Sequence, residues 1–337
     1  MLFVVTVRIG VIGVGVMGAD HARKLDAQVA GAAVTAIADF DEQKAKAVAA
    51  EMRAATVAAD SFELIGSADV DAVVIASRDS THAELALAAI AAGKPVMCEK
   101  PLAPTAAECR TVVDAEAARG IGLVSLGFMR RFDPAYVELK RRITAEELGD
   151  VLVAHAVSRT VTSGPGGDSA ATITNSAIHE LDVMPWLLGS PITAVSWHSG
   201  RSSRHSEFRQ DPQIMLLRTE SEILITVEIF LNARYGYDTR CEVVGELGAA
   251  ALTTPAAVVV DRDRRRSVAY PADWIPRYSD AYRLELQEWV DAIVQGRPST
   301  LATAPDGLRA SLVADALVES MNNGSMTVRV SGTFAGQ

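Results

Sequence analysis

The sequence predicts an α/β chain in two parts. Residues 1–126 read as a doubly wound parallel sheet, and 127–337 as an α+β region on a large, mostly antiparallel open sheet. Three observations predict this. An apolar run over 7–12 ends in Gly13-Val14-Gly15-Val16-Met17-Gly18, a G-x-G-x-x-G spacing. From there to about residue 126, short apolar runs alternate with amphipathic stretches, the pattern of parallel strands joined by helical crossovers. Beyond Gly127, long alternating runs are separated by short polar turns, which is how antiparallel strands read.

In the first part, strands are expected over 7–12, 33–38, weakly 56–58, then 72–76, 95–98 and 122–126. Helices are expected over 16–29, 41–53, 61–65, 81–92 and 105–119. Gly13 permits a tight turn, Gly15 lets the backbone approach a pyrophosphate, and Gly18 lets the helix pack on the strand. The helix start at Val16 and Met17 offers N–H groups and a partial positive charge to phosphates. This is the Rossmann pattern. The second strand ends before Asp39, where a carboxylate accepts hydrogen bonds from ribose hydroxyls and repels a 2′-phosphate. Phe40 follows with no Arg beside it, so NAD is favoured over NADP. Asp41 can cap the next helix, which leaves Asp39 for the ribose.

Ligands of such sheets bind at the carboxyl ends of the strands. The loop from Ser77 to His82 follows the fourth strand, and Glu99-Lys100-Pro101 follows the fifth. Ser77, His82, Glu99 and Lys100 therefore join Gly13, Gly15, Val16, Met17, Gly18 and Asp39 as candidate cofactor contacts. Pro101 restricts Lys100 to extended geometry, which aims its ammonium toward the ligand end.

In the second part, a helix over 133–142 precedes a strand over 150–162, a flexible loop over 163–169 and a helix over 175–188. Strands follow over 192–197, 213–218, 222–232, 237–244, 249–252, 257–261 and 267–270, then helices over 280–295 and 304–321. The small, polar tail from Ser331 is expected to fray. On the helix over 175–188, Asn175 and His179 are i,i+4 neighbours and Asp182 lies three further on the same face. Asp182 could bond one imidazole nitrogen and leave the other as a base. Pro185 should kink this helix. Along 222–232, Val227, Ile229 and Leu231 share one side, and Leu224, Thr226 and Phe230 the other. Both faces read as buried, one on helices and one against another subunit.

The net charge of −10 argues against a nucleic-acid partner. The basic cluster Arg262-Asp263-Arg264-Arg265-Arg266 reads as a hairpin tip. Cys98, Cys109 and Cys241 fit neither a disulfide framework nor a zinc site, so no metal and a reducing, cytoplasmic location are expected. No basic region precedes the apolar start, which reads as a strand rather than a signal peptide, and no membrane span is expected.

Several motifs together resemble one family. They are Gly13-x-Gly15-x-x-Gly18, Asp39, the loop to His82, Cys98-Glu99-Lys100-Pro101-Leu102, Gly127-Phe128-Met129-Arg130-Arg131-Phe132-Asp133 and His179-Glu180-x-Asp182. Over nearly its whole length the chain resembles the glucose–fructose oxidoreductase/inositol dehydrogenase/rhizopine-catabolism (Gfo/Idh/MocA) family. The segment over 127–133, with Tyr235-Gly236-Tyr237-Asp238 and Cys241-Glu242-Val243-Val244-Gly245, looks most like inositol 2-dehydrogenases. The resemblance implies NAD-dependent oxidation of a cyclic polyol, myo-inositol to its 2-ketone. It implies that Lys100 bonds the reacting hydroxyl and that His179 is the general base. Asn175 stands where the family usually has an Asp, so the base loses one charged partner. Implied substrate contacts are Met129, Arg130, Arg131, Ser158, Arg159, Asn175, Asp182, Tyr235 and Tyr237. A homo-oligomer, tetramer or dimer, is implied as well. The alternatives are the same chemistry on another inositol isomer or a pyranose sugar, or a non-catalytic NAD-sensing regulator.

Overall fold

A computed structural model describes residues 6–163, 166–253 and 258–331. The chain divides into two compact units, Met1–Met129 with Asp280–Ser311, and Arg130–Ser279 with Leu312–Gln337.

The first unit opens with β1 (Val7–Ile12), α1 (Val16–Ala27), β2 (Ala32–Ala38), α2 (Glu42–Ala49), β3 (Thr56–Val57) and α3 (Ser61–Gly66). It continues with β4 (Ala72–Ile75), α4 (Asp79–Ala92), β5 (Val96–Cys98), α5 (Ala106–Arg119) and β6 (Val124–Leu126). These six strands pair in parallel in the order β3-β2-β1-β4-β5-β6. The order reverses at β1 and β4, the switch point where such sheets bind ligands. Every residue of β4 is buried, as expected of a strand covered on both faces. Asp41 and Asp60 cap α2 and α3, a Thr105–Glu108 capping box opens α5, and left-handed Gly93 and Gly120 close α4 and α5. Helix α2 stops at Ala49, short of the expected 53, and the Arg53 N–H turns to the Asp26 carboxylate instead.

The second unit follows a 3₁₀ turn over Met129–Phe132. It comprises α6 (Pro134–Thr144), β7 (Val151–Arg159), a π-helical turn (Thr172–Ser176), α7 (Ile178–Leu188), β8 (Ile192–Ser199), β9 (Gln213–Thr219), β10 (Leu224–Phe230), β11 (Asp238–Gly245) and β12 (Ala249–Ala251). A separate hairpin, β13 (Val259–Arg262) and β14 (Arg265–Val268), carries the basic cluster at its tip. The chain ends with α8 (Ser279–Gln295), β15 (Ala302–Thr303), α9 (Ala304–Asn322) and β16 (Val328–Arg329). The second sheet runs β12-β11-β7-β10-β9-β8-β16, antiparallel except where β7 meets β10.

On β10, Ile225, Val227 and Ile229 are buried together with Ala154, Ala156, Met215 and Leu217 of the flanking strands. The opposite face, the side left for another subunit, is less covered within the single chain. Val153, Val157, Ile214, Leu216 and Phe230 are only half-buried and Leu224 is exposed. Glu228 shares that face and pairs with Arg159 rather than packing on apolar neighbours.

The sequence pattern gives one passage between parts, but the chain makes three. Strand β15 pairs antiparallel with β6, and Gly307 lies where a Cβ would come within 2.3 Å of Leu126. Asp280–Ser311 thus completes the first unit. Residues 1–5, 164–165, 254–257 and 332–337, on which the expected opening strand, part of the loop over 163–169, the start of the strand over 257–261 and the tail fall, lie outside the described residues. Among the described residues, no helix is long and apolar enough to cross a membrane.

Candidate active site

The glycine turn is built around three different demands. Gly13 has φ +84°, and a Cβ there would lie 2.5 Å from the Ser77 backbone. At Gly18 a Cβ would lie 1.8 Å from the Gly13 carbonyl oxygen, so only glycine lets α1 seat against the turn. At Gly15 a Cβ would meet nothing within 4 Å. Gly15 precedes α1, whose N-terminus has no side-chain cap and no acidic residue in its first turn. That leaves open ground beside the positive end of a helix, at Val16 and Met17, which suits an anion.

Asp39 follows β2 and is half-buried. Its Oδ2 accepts from the Val14 N–H at 2.7 Å and its Oδ1 from the Asp41 N–H at 2.8 Å. Each carboxylate oxygen keeps a further lone pair. Asp41 caps α2 itself, as expected, by accepting from Gln43 and Lys44. The carboxylate is therefore tied to the glycine turn and keeps acceptor capacity for vicinal hydroxyls. Open ground at Gly15, an uncapped helix start and this carboxylate together fit a dinucleotide.

Two expected cofactor contacts have other partners. His82 is buried on α4, with Nδ1 2.7 Å from the Pro101 carbonyl oxygen and Nε2 3.2 Å from that of Ser77. The ring is engaged with backbone and has no surface to offer a cofactor. Glu99 is buried beneath Lys100, where Oε1 accepts from His21 Nε2 at 2.7 Å and Oε2 from the Lys100 N–H at 3.2 Å. Burial pushes its carboxyl up. The hydrogen bond and charge of His21, with Lys100 nearby, outweigh that and hold it below the usual carboxylate value. Ser77 stays partly accessible, with its hydroxyl 2.7 Å from that of Thr81. Lys100 is half-buried just past β5, and the Lys100–Pro101 peptide is cis.

In the second unit, His179 is half-buried in the first turn of α7. Asn175 is exposed on the preceding π turn, where the Ala177 N–H reaches back to Thr172. The expected continuous helix from 175 is therefore corrected. The backbone changes its winding between Asn175 and His179, and helical i,i+4 spacing does not relate them. Helix α7 runs through Pro185 to Leu188.

The consecutive arginines act inward. Arg130 is buried, with its guanidinium on the buried Glu180 carboxylate and a weaker 3.4 Å contact to the Ser158 hydroxyl. Arg131 grips both oxygens of Asp182, one through Nε at 3.0 Å. Met129 is buried too. Met129, Arg130 and Ser158, expected to touch substrate, are thus part of the interior. Asp182 meets His179's turn of helix as a carboxylate already neutralised by Arg131. Tyr235 is 46% exposed; its hydroxyl donates to Asp238 and accepts from Arg159 at 3.0 Å. Tyr237 is buried. His21 was missed in the sequence, and Glu180 was read there only as part of the motif around His179. The one trace of His21 is a polar residue three places after Gly18, on the inward face of α1.

Comparison with known proteins agrees with both units. Residues 7–128 match the model described as "Oxidoreductase family, NAD-binding Rossmann fold", and 140–330 match "Oxidoreductase family, C-terminal alpha/beta domain". The chain is 52% identical over 330 residues to inositol 2-dehydrogenase 2 of Paenarthrobacter aurescens, covering 96% of this chain and 99% of that one. It is 47% identical over 322 residues to inositol 2-dehydrogenase 1 of Saccharopolyspora erythraea, covering 95% of each. The crystal structure of myo-inositol dehydrogenase from Lactobacillus casei in complex with NAD(H) and myo-inositol superposes with a TM-score of 0.94, at 31% identity over 98% of each chain.

Proposed function

The chain belongs to the Gfo/Idh/MocA oxidoreductase family, and on that premise we propose that it is an NAD-dependent dehydrogenase that oxidises myo-inositol to 2-keto-myo-inositol. The open, uncapped glycine turn tied to Asp39 carries the cofactor half of this reading. The inositol dehydrogenases to which the chain is similar supply the substrate class.

Gly13, Gly15 and the start of α1 would hold the pyrophosphate, and Asp39 the adenosine ribose. NAD, when bound, supplies the hydride acceptor. Lys100 donates a hydrogen bond to the reacting hydroxyl oxygen and steadies the negative charge that grows there as its proton leaves. His179 removes that proton through a ring nitrogen. Asn175, exposed and uncharged, can orient a substrate hydroxyl but offers the protonated imidazole no negative charge. Arg131, through Asp182, fixes the helix that carries the base. Tyr235 and Arg159, at the end of the second sheet, are the remaining polar groups offered to a hydroxyl-rich ligand.

The half-covered face of the second sheet, with Val153, Val157, Ile214, Leu216 and Phe230, suits a second copy of the chain, so a homo-oligomer is included in the proposal. Three buried free thiols suit a reducing compartment.

The test is NADH formation by the purified protein against myo-inositol, scyllo-inositol, other isomers and pyranose sugars, with NADP in parallel. Highest kcat/KM with myo-inositol and NAD is expected. Turnover confined to sugars would replace the substrate. Tight NAD binding without turnover on any polyol would make the chain a sensor.

A further inference from the structure

Three consecutive residues at the end of β5 are held from two sides by buried imidazoles. On one side His21, fully buried on α1, donates through Nε2 to Glu99 at 2.7 Å. The other oxygen of Glu99 receives the Lys100 N–H at 3.2 Å. On the other side His82, buried on α4, reaches the Pro101 carbonyl oxygen at 2.7 Å. The Glu99 N–H is fixed to the Ile75 carbonyl of β4 at 2.8 Å. Lys100 thus stands between a clamped residue before it and a clamped residue after it.

The clamps are costly to bury. A carboxylate and two imidazoles in the interior of the first unit would be cheaper as packed apolar side chains. The Nδ1 of His21 is itself buried without a hydrogen-bond partner among the described residues, so the ring's one polar link is Glu99. Tyr282 packs edge-on against it at 5.6 Å and fixes its plane. Moreover, the anchors are the elements assigned to the dinucleotide. Helix α1 begins at the glycine turn, and Nε2 of His82 also faces the carbonyl of Ser77, whose backbone abuts Gly13.

We propose that His21 and His82 are positioning residues that set where Lys100 presents its ammonium, referencing it to the glycine turn and the Ser77 loop. This rests on the role proposed above for Lys100. Neither imidazole touches substrate or cofactor; both act through the backbone of Glu99, Lys100 and Pro101.

The experiment compares His21→Leu and His82→Leu with His21→Gln and His82→Asn, whose amide N–H can replace Nε2 and Nδ1 respectively. Each is made in the wild-type and the Lys100→Ala background. Measured are kcat, KM for myo-inositol, NAD affinity and melting temperature. The Leu variants are expected to lower kcat roughly 10- to 100-fold, the scale of an ångström misplacement at a reacting centre, with NAD affinity within about twofold of wild type. The amide variants should recover most of the loss. In the Lys100→Ala background either Leu substitution should cost less than about twofold more, because coupled residues are non-additive.

Wild-type kcat in both folded Leu variants would overturn the proposal. So would an equal fold-loss in the two backgrounds, which marks a structural role independent of Lys100. Should a Leu variant fail to fold, Glu99→Gln keeps the side-chain volume while weakening the same link, and the same non-additivity is required of it. Full turnover by Lys100→Ala would instead remove the role of the lysine itself, and this inference with it. Loss in Lys100→Ala with none in the histidine variants overturns this inference alone.

Discussion

Replacing Glu180 by Gln should destabilise the second unit far more than a single surface charge would. Arg130 is 2% exposed, faces the Glu180 carboxylate, and lies 5.8 Å over the Tyr278 ring. The substitution keeps shape and one acceptor but leaves a guanidinium buried without its countercharge. Breaking a buried pair from one side costs about 3–5 kcal/mol. The retained amide oxygen puts this case near the lower end, about 3 kcal/mol. At roughly 2–4 °C per kcal/mol for a unit of this size, the melting temperature should fall by roughly 6–12 °C. The Glu180 charge holds the Arg130 guanidinium in its charged form against the pull of burial. Calorimetry at neutral pH measures the loss. The double substitution Arg130→Met with Glu180→Leu removes both charges and should melt at or above wild type. A single variant melting within about 2 °C of wild type, or a double variant melting lower still, would refute the reasoning.

Asp39→Asn keeps an acceptor for the Val14 N–H but removes the charge that binds hydroxyls. KM for NAD should rise roughly 10- to 100-fold, as for losing a charged hydrogen bond, with kcat nearly kept and discrimination against NADP reduced; initial-rate kinetics with both cofactors decide. Glu99 is held below the ordinary carboxylate value of 4.5, despite burial, by His21 and Lys100. Its stabilisation is therefore complete above that value and lost as pH falls through the folded one, so Glu99→Gln should flatten the acid limb of the stability profile. Burial pushes the Cys98 thiol up and that of Cys241 up to about 12. All three thiols should resist an aromatic disulfide reagent in the native protein and react once it is unfolded; fast native reaction at Cys98 or Cys241 would contradict their burial.

Much of the first unit was legible because its signals are local. Apolar runs, Gly13, Gly15 and Gly18, and the cap Asp41 act within a few residues, and strands and helices appear close to the expected positions. The return of Asp280–Ser311 was not legible, since pairing of β15 with β6 depends on residues far apart in sequence. At the candidate site, sequence position put His82 and Glu99 at the ligand ends of strands but could not tell a side chain facing a ligand from one facing its own backbone. The same holds for Arg130, whose charge invited a substrate role and whose partner is the buried Glu180. The π turn before α7 also escaped the pattern, because helical spacing from Asn175 to Asp182 reads the same with or without it.

The central claim is hydride removal from an inositol carbon with Lys100 and His179 serving the same hydroxyl. It is tested most directly with myo-inositol deuterated at carbon 2 and NAD. The wild-type protein should deliver deuterium to the nicotinamide in step with formation of the 2-ketone, while Lys100→Ala and His179→Ala bind NAD normally and transfer almost none. Label retained on carbon 2 while NADH forms, or undiminished transfer by either variant, would contradict it.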